Sequence, residues 1–169
     1  MFQHDQQPVI SLVEVTKEHD IAGLAILAAG IWREHYTAWL GERQVEYMLD
    51  RFQSEVALRQ RLSEDYRYYW LLVGEQAVGY FGIKNEAERL YLSKYYLRQR
   101  FRGQGLGRIM MKEIERQAQG LKAIYLNVNK ANHDSIEVYK RLGFALIGNQ
   151  TIDIGHGFVM DDYIFEKPL

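Results

Sequence analysis

Apolar positions change their spacing several times along the chain, and each change predicts an element. Val9 to Val15 carries β-branched residues with partial alternation, which predicts a strand, and Thr16 is placed to cap the apolar run behind it. That run predicts a helix from about Lys17 to His35, with the pattern broken over Tyr36 to Gly41. Val45, Met48, Leu49 and Phe52 then fall at helical spacing, and Ser54 can cap a further helix carrying Val56, Leu58 and Leu62. Tyr68 to Val73 and Ala77 to Lys84 flank Gly74-Glu75-Gln76 and predict a β-hairpin. Leu90 to Leu97 reads as a strand, Arg98 to Gly107 as a polar, basic loop, and Leu106, Ile109, Met110 and Ile114 as one face of a helix. Ala123 to Val128 predicts a strand and Asn132 to Leu142 a helix closed by Gly143. Two strands, Ala145 to Ile154 and Phe158 to Glu166, flank a Gly155-His156-Gly157 turn.

The order is β, three helices, three strands, then α, β, α, β, β, which is a mixed α/β class. At 169 residues, with no repeat, linker or low-complexity tract, residues 1–169 are expected to form a single domain. The aromatic group Tyr66, Tyr68, Tyr69 and Trp70 alternates as a half-buried strand does and has few basic neighbours, so packing is expected there rather than base stacking.

Composition narrows the chemistry by exclusion. Lys and Arg number 21 against 22 Asp and Glu, so a net charge of −1 argues against a generally cationic nucleic-acid binder. There are no cysteines, which excludes disulfide scaffolds, thiolate zinc sites, iron–sulfur clusters and thiol nucleophiles. The histidines His4, His19, His35, His133 and His156 show no paired ligand spacing, so no metal is expected. The N-terminal MFQHDQQPV has neither a basic nor an apolar leader region, and the apolar run Ile21 to Trp32 is too short to span a bilayer. A soluble, cytoplasmic protein without a membrane partner is the expectation.

The distinctive string is Arg102-Gly103-Gln104-Gly105-Leu106-Gly107, between a strand and a helix. Small residues there let consecutive backbone N–H groups face outward at the positive end of a helix, a cradle for phosphate. Arg98, Arg100, Arg102, Arg108 and Lys112 concentrate positive charge around it, which suits an anionic phosphate ester. Glycines alone fit a tight turn with a solvated basic rim equally well. Neither nucleotide motif fits: the Walker pattern needs four residues between its first glycine and Gly-Lys-Ser/Thr, and the dinucleotide fingerprint needs its last glycine three places after the second. A nucleotide-binding module is therefore disfavoured.

Arg102, Gly105 and Gly107 meet the signature Arg/Gln-x-x-Gly-x-Gly/Ala, which resembles the acetyl-coenzyme A loop of the GNAT superfamily of N-acetyltransferases. A second block, Asn132 through Ser135 and Tyr139 to Gly143-Phe144, resembles that superfamily's Asn-x-x-Ala-x-x-x-Tyr-x-x-x-Gly-Phe helix, with Ser135 in place of Ala. Ile31-Trp32, His35-Tyr36, Val45 to Leu49, Asp153 to Phe158 and Met160 to Tyr163 resemble the PaiA-like polyamine acetyltransferases.

The resemblance implies a mixed sheet of about seven strands, splayed at its centre and flanked by helices, and acetyl-coenzyme A as co-substrate. It implies that Arg102, Gly103, Gln104, Gly105, Leu106, Gly107 and Arg108 bind the pyrophosphate, largely through backbone amides. Tyr95 and Leu97 pair by their main chain with the pantetheine arm, and Asn132 hydrogen-bonds it. Tyr139 is the expected general acid, because a phenol near pKa 10 can protonate a departing thiolate near about 8.5. Its alternative, packing, is the ordinary fate of tyrosine in a chain with 12 of them.

The acceptor expected from the resemblance is a small-molecule amine, with a polyamine favoured, attacked directly in a ternary complex. A lysine-like amine of pKa near 10.4 pays roughly 4.6 kcal/mol to be neutral at pH 7. Glu34, His35, Tyr80, Tyr91 or a water chain are the candidates to remove its proton, and no spacing separates them. Asp161 and Asp162, beside Tyr163, could attract a second ammonium or simply solvate a strand. The last two strands could serve the acceptor or a homodimer interface. A protein or peptide N-acetyltransferase and a non-catalytic acyl-coenzyme A-binding regulator remain the alternative functions.

Overall fold

The computed structural model describes residues 7–169. In chain order it holds β1 (Ile10–Glu14), α1 (Glu18–Leu40), α2 (Glu42–Gln53), α3 (Glu55–Ser63), β2 (Arg67–Val73), β3 (Gln76–Glu86) and β4 (Arg89–Leu97). A 3-10 turn (Gln99–Phe101) precedes α4 (Leu106–Gln117), β5 (Ala123–Asn129), α5 (His133–Arg141), β6 (Ala145–Gly155) and β7 (Phe158–Pro168). The strands run in the order β1-β2-β3-β4-β5-β7-β6 in a seven-stranded sheet, the mixed α/β arrangement expected. Contacts gather the chain into two compact units, one made of the described residues up to Phe81 with Tyr95–Met110, the other of Gly82–Lys94 with Met111–Leu169.

In the first unit β1 and β2 pair antiparallel, from Ile10 opposite Val73 to Glu14 opposite Tyr69. Ile21, Leu24, Leu27, Ala28, Ile31 and Trp32 recur at helical spacing on α1 and are buried, with Leu58 of α3, Tyr68 of β2 and Tyr80 of β3 in the same core. Tyr69 is buried too, its ring stacked on Phe81 at 4.8 Å, so these aromatics pack as expected.

Both ends of α1 differ from the sequence expectation. Lys17, not Thr16, is the cap residue, because the Asp20 carboxylate reaches back to accept the Lys17 N–H at 3.1 Å. The helix also continues through the expected break at Tyr36 and stops at Leu40. Tyr36 is buried as the next residue of the apolar face, and the indole N–H of Trp39 donates to the His35 carbonyl at 3.0 Å, so Gly41 at φ 83 is the first residue that ends it.

In the second unit β5 lies between β4, parallel to it, and β7, antiparallel. The β4–β5 ladder covers Arg89–Tyr91 and Ala123–Tyr125, and both strands run on beyond it. Ile124, Leu126 and Val128 are buried on one face of β5, which places Tyr125, Asn127 and Asn129 on the other. β6 and β7 form the expected hairpin about His156 and Gly157. No helix among the described residues is long and apolar enough to cross a membrane.

Candidate active site

Three glycines before and within α4 meet two different physical demands. Gly103 at φ 74 and Gly105 at φ 84 sit in the left-handed region, where a side chain is strained although a Cβ would meet nothing within 4 Å. Gly107 is required by proximity: a Cβ there would lie 3.0 Å from the Tyr95 hydroxyl, which donates to the Gly107 carbonyl at 2.6 Å. The opening turn of α4 presents N–H groups without intrahelical partners at the positive end of the helix dipole. An open, amide-lined loop of this kind fits the pyrophosphate of coenzyme A.

The basic rim is thinner than the sequence suggests. Arg98 pairs with Glu34 at 3.3 Å, and Glu34 also accepts the Gln99 N–H at 3.2 Å, which ties the end of β4 to α1. Arg102 Nε donates to the Leu97 carbonyl at 3.2 Å, and Gln104 Nε2 to the Arg100 carbonyl at 3.0 Å. Arg98, Arg102 and Gln104 thus hold the loop's shape, Arg102 and Gln104 from exposed positions, and Arg100, Arg108 and Lys112 are exposed beside them. Of the Tyr95 and Leu97 main chain, expected to pair with a bound arm, the Leu97 carbonyl accepts from Arg102.

Among the base candidates, Tyr80 is removed by its surroundings. Its hydroxyl is buried, accepts from Trp32 Nε1 at 2.9 Å and donates to Gln53 Oε1 at 2.8 Å; burial pushes its pKa well above the usual value for a phenol. Glu34 is engaged with Arg98 and Gln99. The His35 ring meets Tyr36 edge-on at 4.6 Å. Around them lies an aromatic cluster that the sequence did not announce: Tyr96 stacks on Tyr80 at 5.5 Å and shares a 2.8 Å hydrogen bond with the Tyr36 hydroxyl. Buried Gln53 gave no local signal, since its partner is 27 residues away.

In the second unit Asn132 caps α5, its side-chain oxygen accepting the Ser135 N–H at 3.4 Å, and is buried. Tyr139 lies on the same helix with its ring edge-on to Phe144 at 5.8 Å. Tyr91 stacks on Tyr125 at 4.9 Å, and its hydroxyl accepts from Asn127 Nδ2 at 3.4 Å. The two aspartates of β7 separate completely. Asp161 is exposed and pairs with Lys130 at 2.7 Å, while Asp162 is 2% exposed and its pKa rises to about 6 through burial and the charge of Asp161, with Lys130 opposing. A pocket lined by Glu86, Glu88, Arg89, Lys122 and Glu166 sits at the start of β4 and β5; its charges pair, Lys122 with Glu88 at 2.6 Å and Arg89 with Glu166 at 2.9 Å. Among the described residues no group of His, Asp and Glu is arranged to hold a metal, and His4 lies outside them.

Residues 28–144 match the acetyltransferase (GNAT) family, and the chain belongs to that family. Its members take their acetyl group from acetyl-coenzyme A, and the family resemblance read from the two sequence blocks is borne out. The chain is 33% identical over 67 residues to a spermine/spermidine N(1)-acetyltransferase of Bacillus subtilis (strain 168). That match covers 38% of this chain and 44% of the relative, so it spans less than half the relative's length. Among solved structures, the PaiA N-acetyltransferase of Thermoplasma acidophilum in complex with coenzyme A aligns with TM-score 0.78 at 20% identity, covering 95% of this chain and 99% of that one. A GCN5-related N-acetyltransferase of Rhodopseudomonas palustris aligns with TM-score 0.79 at 16% identity, covering 99% and 100%. At these identities the two structures bear out the fold.

Proposed function

We propose that the chain moves an acetyl group from acetyl-coenzyme A to a primary amine of a small polycation, the amine nitrogen attacking the thioester carbonyl directly. The observation that carries the donor half is the loop ahead of α4, where Gly103 and Gly105 are held at positive φ in open space. Residues 102–107 hold the pyrophosphate through backbone N–H groups at the helix's positive end. The chain has no cysteine, so no thiol carries the acetyl group between donor and acceptor.

Tyr139 is the proposed general acid, carried by its place in the α5 motif, and Asn132 steadies the pantetheine arm from the start of the same helix. The phenol gives its proton to the departing thiolate as the carbon–sulfur bond breaks. The polyamine acceptor is supported by the similarity to the spermine/spermidine acetyltransferase. With Tyr80 buried and engaged, Glu34, His35, Tyr91 and a water chain are left to take the amine's proton.

The test is thiol release from acetyl-coenzyme A with spermidine, spermine, short diamines, amino acids and peptides, for the wild type and Tyr139→Phe. Release that depends on polyamines and falls about a hundredfold in the variant is expected of general acid catalysis. Release with peptides alone identifies a protein N-acetyltransferase instead, and coenzyme A binding without release across the panel identifies a regulatory acyl-coenzyme A-binding module.

A further inference from the structure

Ser93 Oγ and Asp162 Oδ1, both in the second unit, are buried side-chain oxygens with no hydrogen-bond partner. They lie on one face of the sheet. Tyr91 is level with Tyr125 across β4 and β5, and Asn129 is level with Asp162 across β5 and β7. Because side chains alternate along a strand, Tyr91, Ser93, Tyr125, Asn127, Asn129 and Asp162 share that face. The Tyr91–Tyr125 stacking and the Asn127–Tyr91 hydrogen bond agree with this assignment. At about 3.3 Å per residue, the strip from the level of Tyr125 to that of Asn129 and Asp162 spans roughly 13 Å.

The same alternation puts Ile164 and Glu166 on this face, Glu166 level with Tyr125, where it pairs with Arg89 at 2.9 Å. Asp162 is the carboxylate at the other end, and its Oδ1 accepts nothing. Lys130 is engaged with Asp161 at 2.7 Å and lies 5.5 Å from the Tyr163 ring centroid, and Asp161 also accepts from Thr151 Oγ1 at 3.2 Å. A buried carboxylate oxygen that accepts nothing is costly, and a proton, a hydrogen-bond donor or a cation relieves the cost, a cationic N–H donor most strongly.

We propose that this strip seats the polymethylene chain of the acceptor and that Asp162 is the counter-charge of its ammonium that is not acetylated. The proposal rests on the acetyltransferase reading and deepens it by naming the residue that selects diamines and polyamines over monoamines of equal length. Asp162 is a specificity residue here, and it takes no part in bond making.

The experiment compares 1,4-diaminobutane and n-butylamine as acceptors for the wild type, Asp162→Asn and Asp161→Asn. The wild type is expected to favour the diamine in kcat/KM by at least about tenfold, the equivalent of one desolvated ion pair of about 1.4 kcal/mol. Asp162→Asn abolishes that preference by raising the diamine KM, with the monoamine and acetyl-coenzyme A KM values within about twofold; Asp161→Asn preserves it. A wild type without the preference, or an Asp162→Asn enzyme that loses both amines equally or neither, overturns the proposal. If Asp162→Asn does not fold, Asp162→Ser is put through the same comparison. If neither amine is acetylated, the acetyltransferase reading fails separately, and calorimetric titration of the coenzyme A-loaded protein with 1,4-diaminobutane decides. Binding lost in Asp162→Asn supports the seat, and equal or absent binding overturns it.

Discussion

In the loop before α4 the functional demand falls on the backbone, whereas in β7 it falls on which face a side chain takes. Gly103 and Gly105 are needed because no other residue adopts their φ cheaply, so the chemistry is written into residue type. Asp161 and Asp162 are the same residue type in adjacent positions, yet one is solvated beside Lys130 and the other is buried with an oxygen that accepts nothing. The contrast teaches that the backbone demand behind a glycine motif shows in residue type, whereas a pair of carboxylates gains its meaning only from strand register.

The largest expected effect breaks the backbone side. Gly105→Val puts a β-branched residue at φ 84 and is expected to weaken coenzyme A binding about a hundredfold by calorimetry, from strain and displaced amides together. The next isolates Asp162. Its folded-state pKa of about 6 lies above the ordinary 3.8, so the stability it contributes is complete below about pH 4 and lost as pH rises through 6. Asp161, beside Lys130, is shifted the opposite way, so the informative quantity is wild type minus Asp162→Asn. That difference in unfolding free energy is expected to move by about 2 to 3 kcal/mol between pH 4 and 7 in urea titrations.

Tyr80→Phe removes a buried hydroxyl from Trp32 and Gln53 and is expected to cost about 1 to 2 kcal/mol of stability while leaving the pH profile of kcat/KM in place. Loss of the acidic limb, where activity rises as a base gives up its proton, would restore Tyr80 as the base. The smallest effect tests the close approach at α4. Gly107→Ala is expected to raise the acetyl-coenzyme A KM several-fold, about 1 kcal/mol, and Tyr95→Phe in the same chain to recover part of it by clearing the 3.0 Å contact.

Much of the fold was legible because its elements announce themselves locally: period-two strands, period-3.6 helices and glycine turns. The end of α1 was not, because burial of Tyr36 against residues distant in sequence decided it, and Gly41 was the sole local stop. The donor loop was legible for the backbone reason given above, whereas the hydrogen bonds by which Arg98 holds Glu34 and Arg102 holds the Leu97 carbonyl depend on chain geometry that spacing does not show. Gln53 and Tyr96 were missed, since their hydrogen bonds run to partners 27 and 60 residues away. Alternation did require Asp161 and Asp162 to face opposite sides, but which one was buried depended on the pairing of β7 with both β5 and β6.

The central claim, transfer of acetyl from coenzyme A to a small polycationic amine, is tested most directly by mass spectrometry of spermidine incubated with acetyl-coenzyme A and the protein. The account predicts mono-acetylated spermidine formed in step with free coenzyme A. Coenzyme A released without any acetylated spermidine, or acetyl groups found on peptides alone, would contradict it.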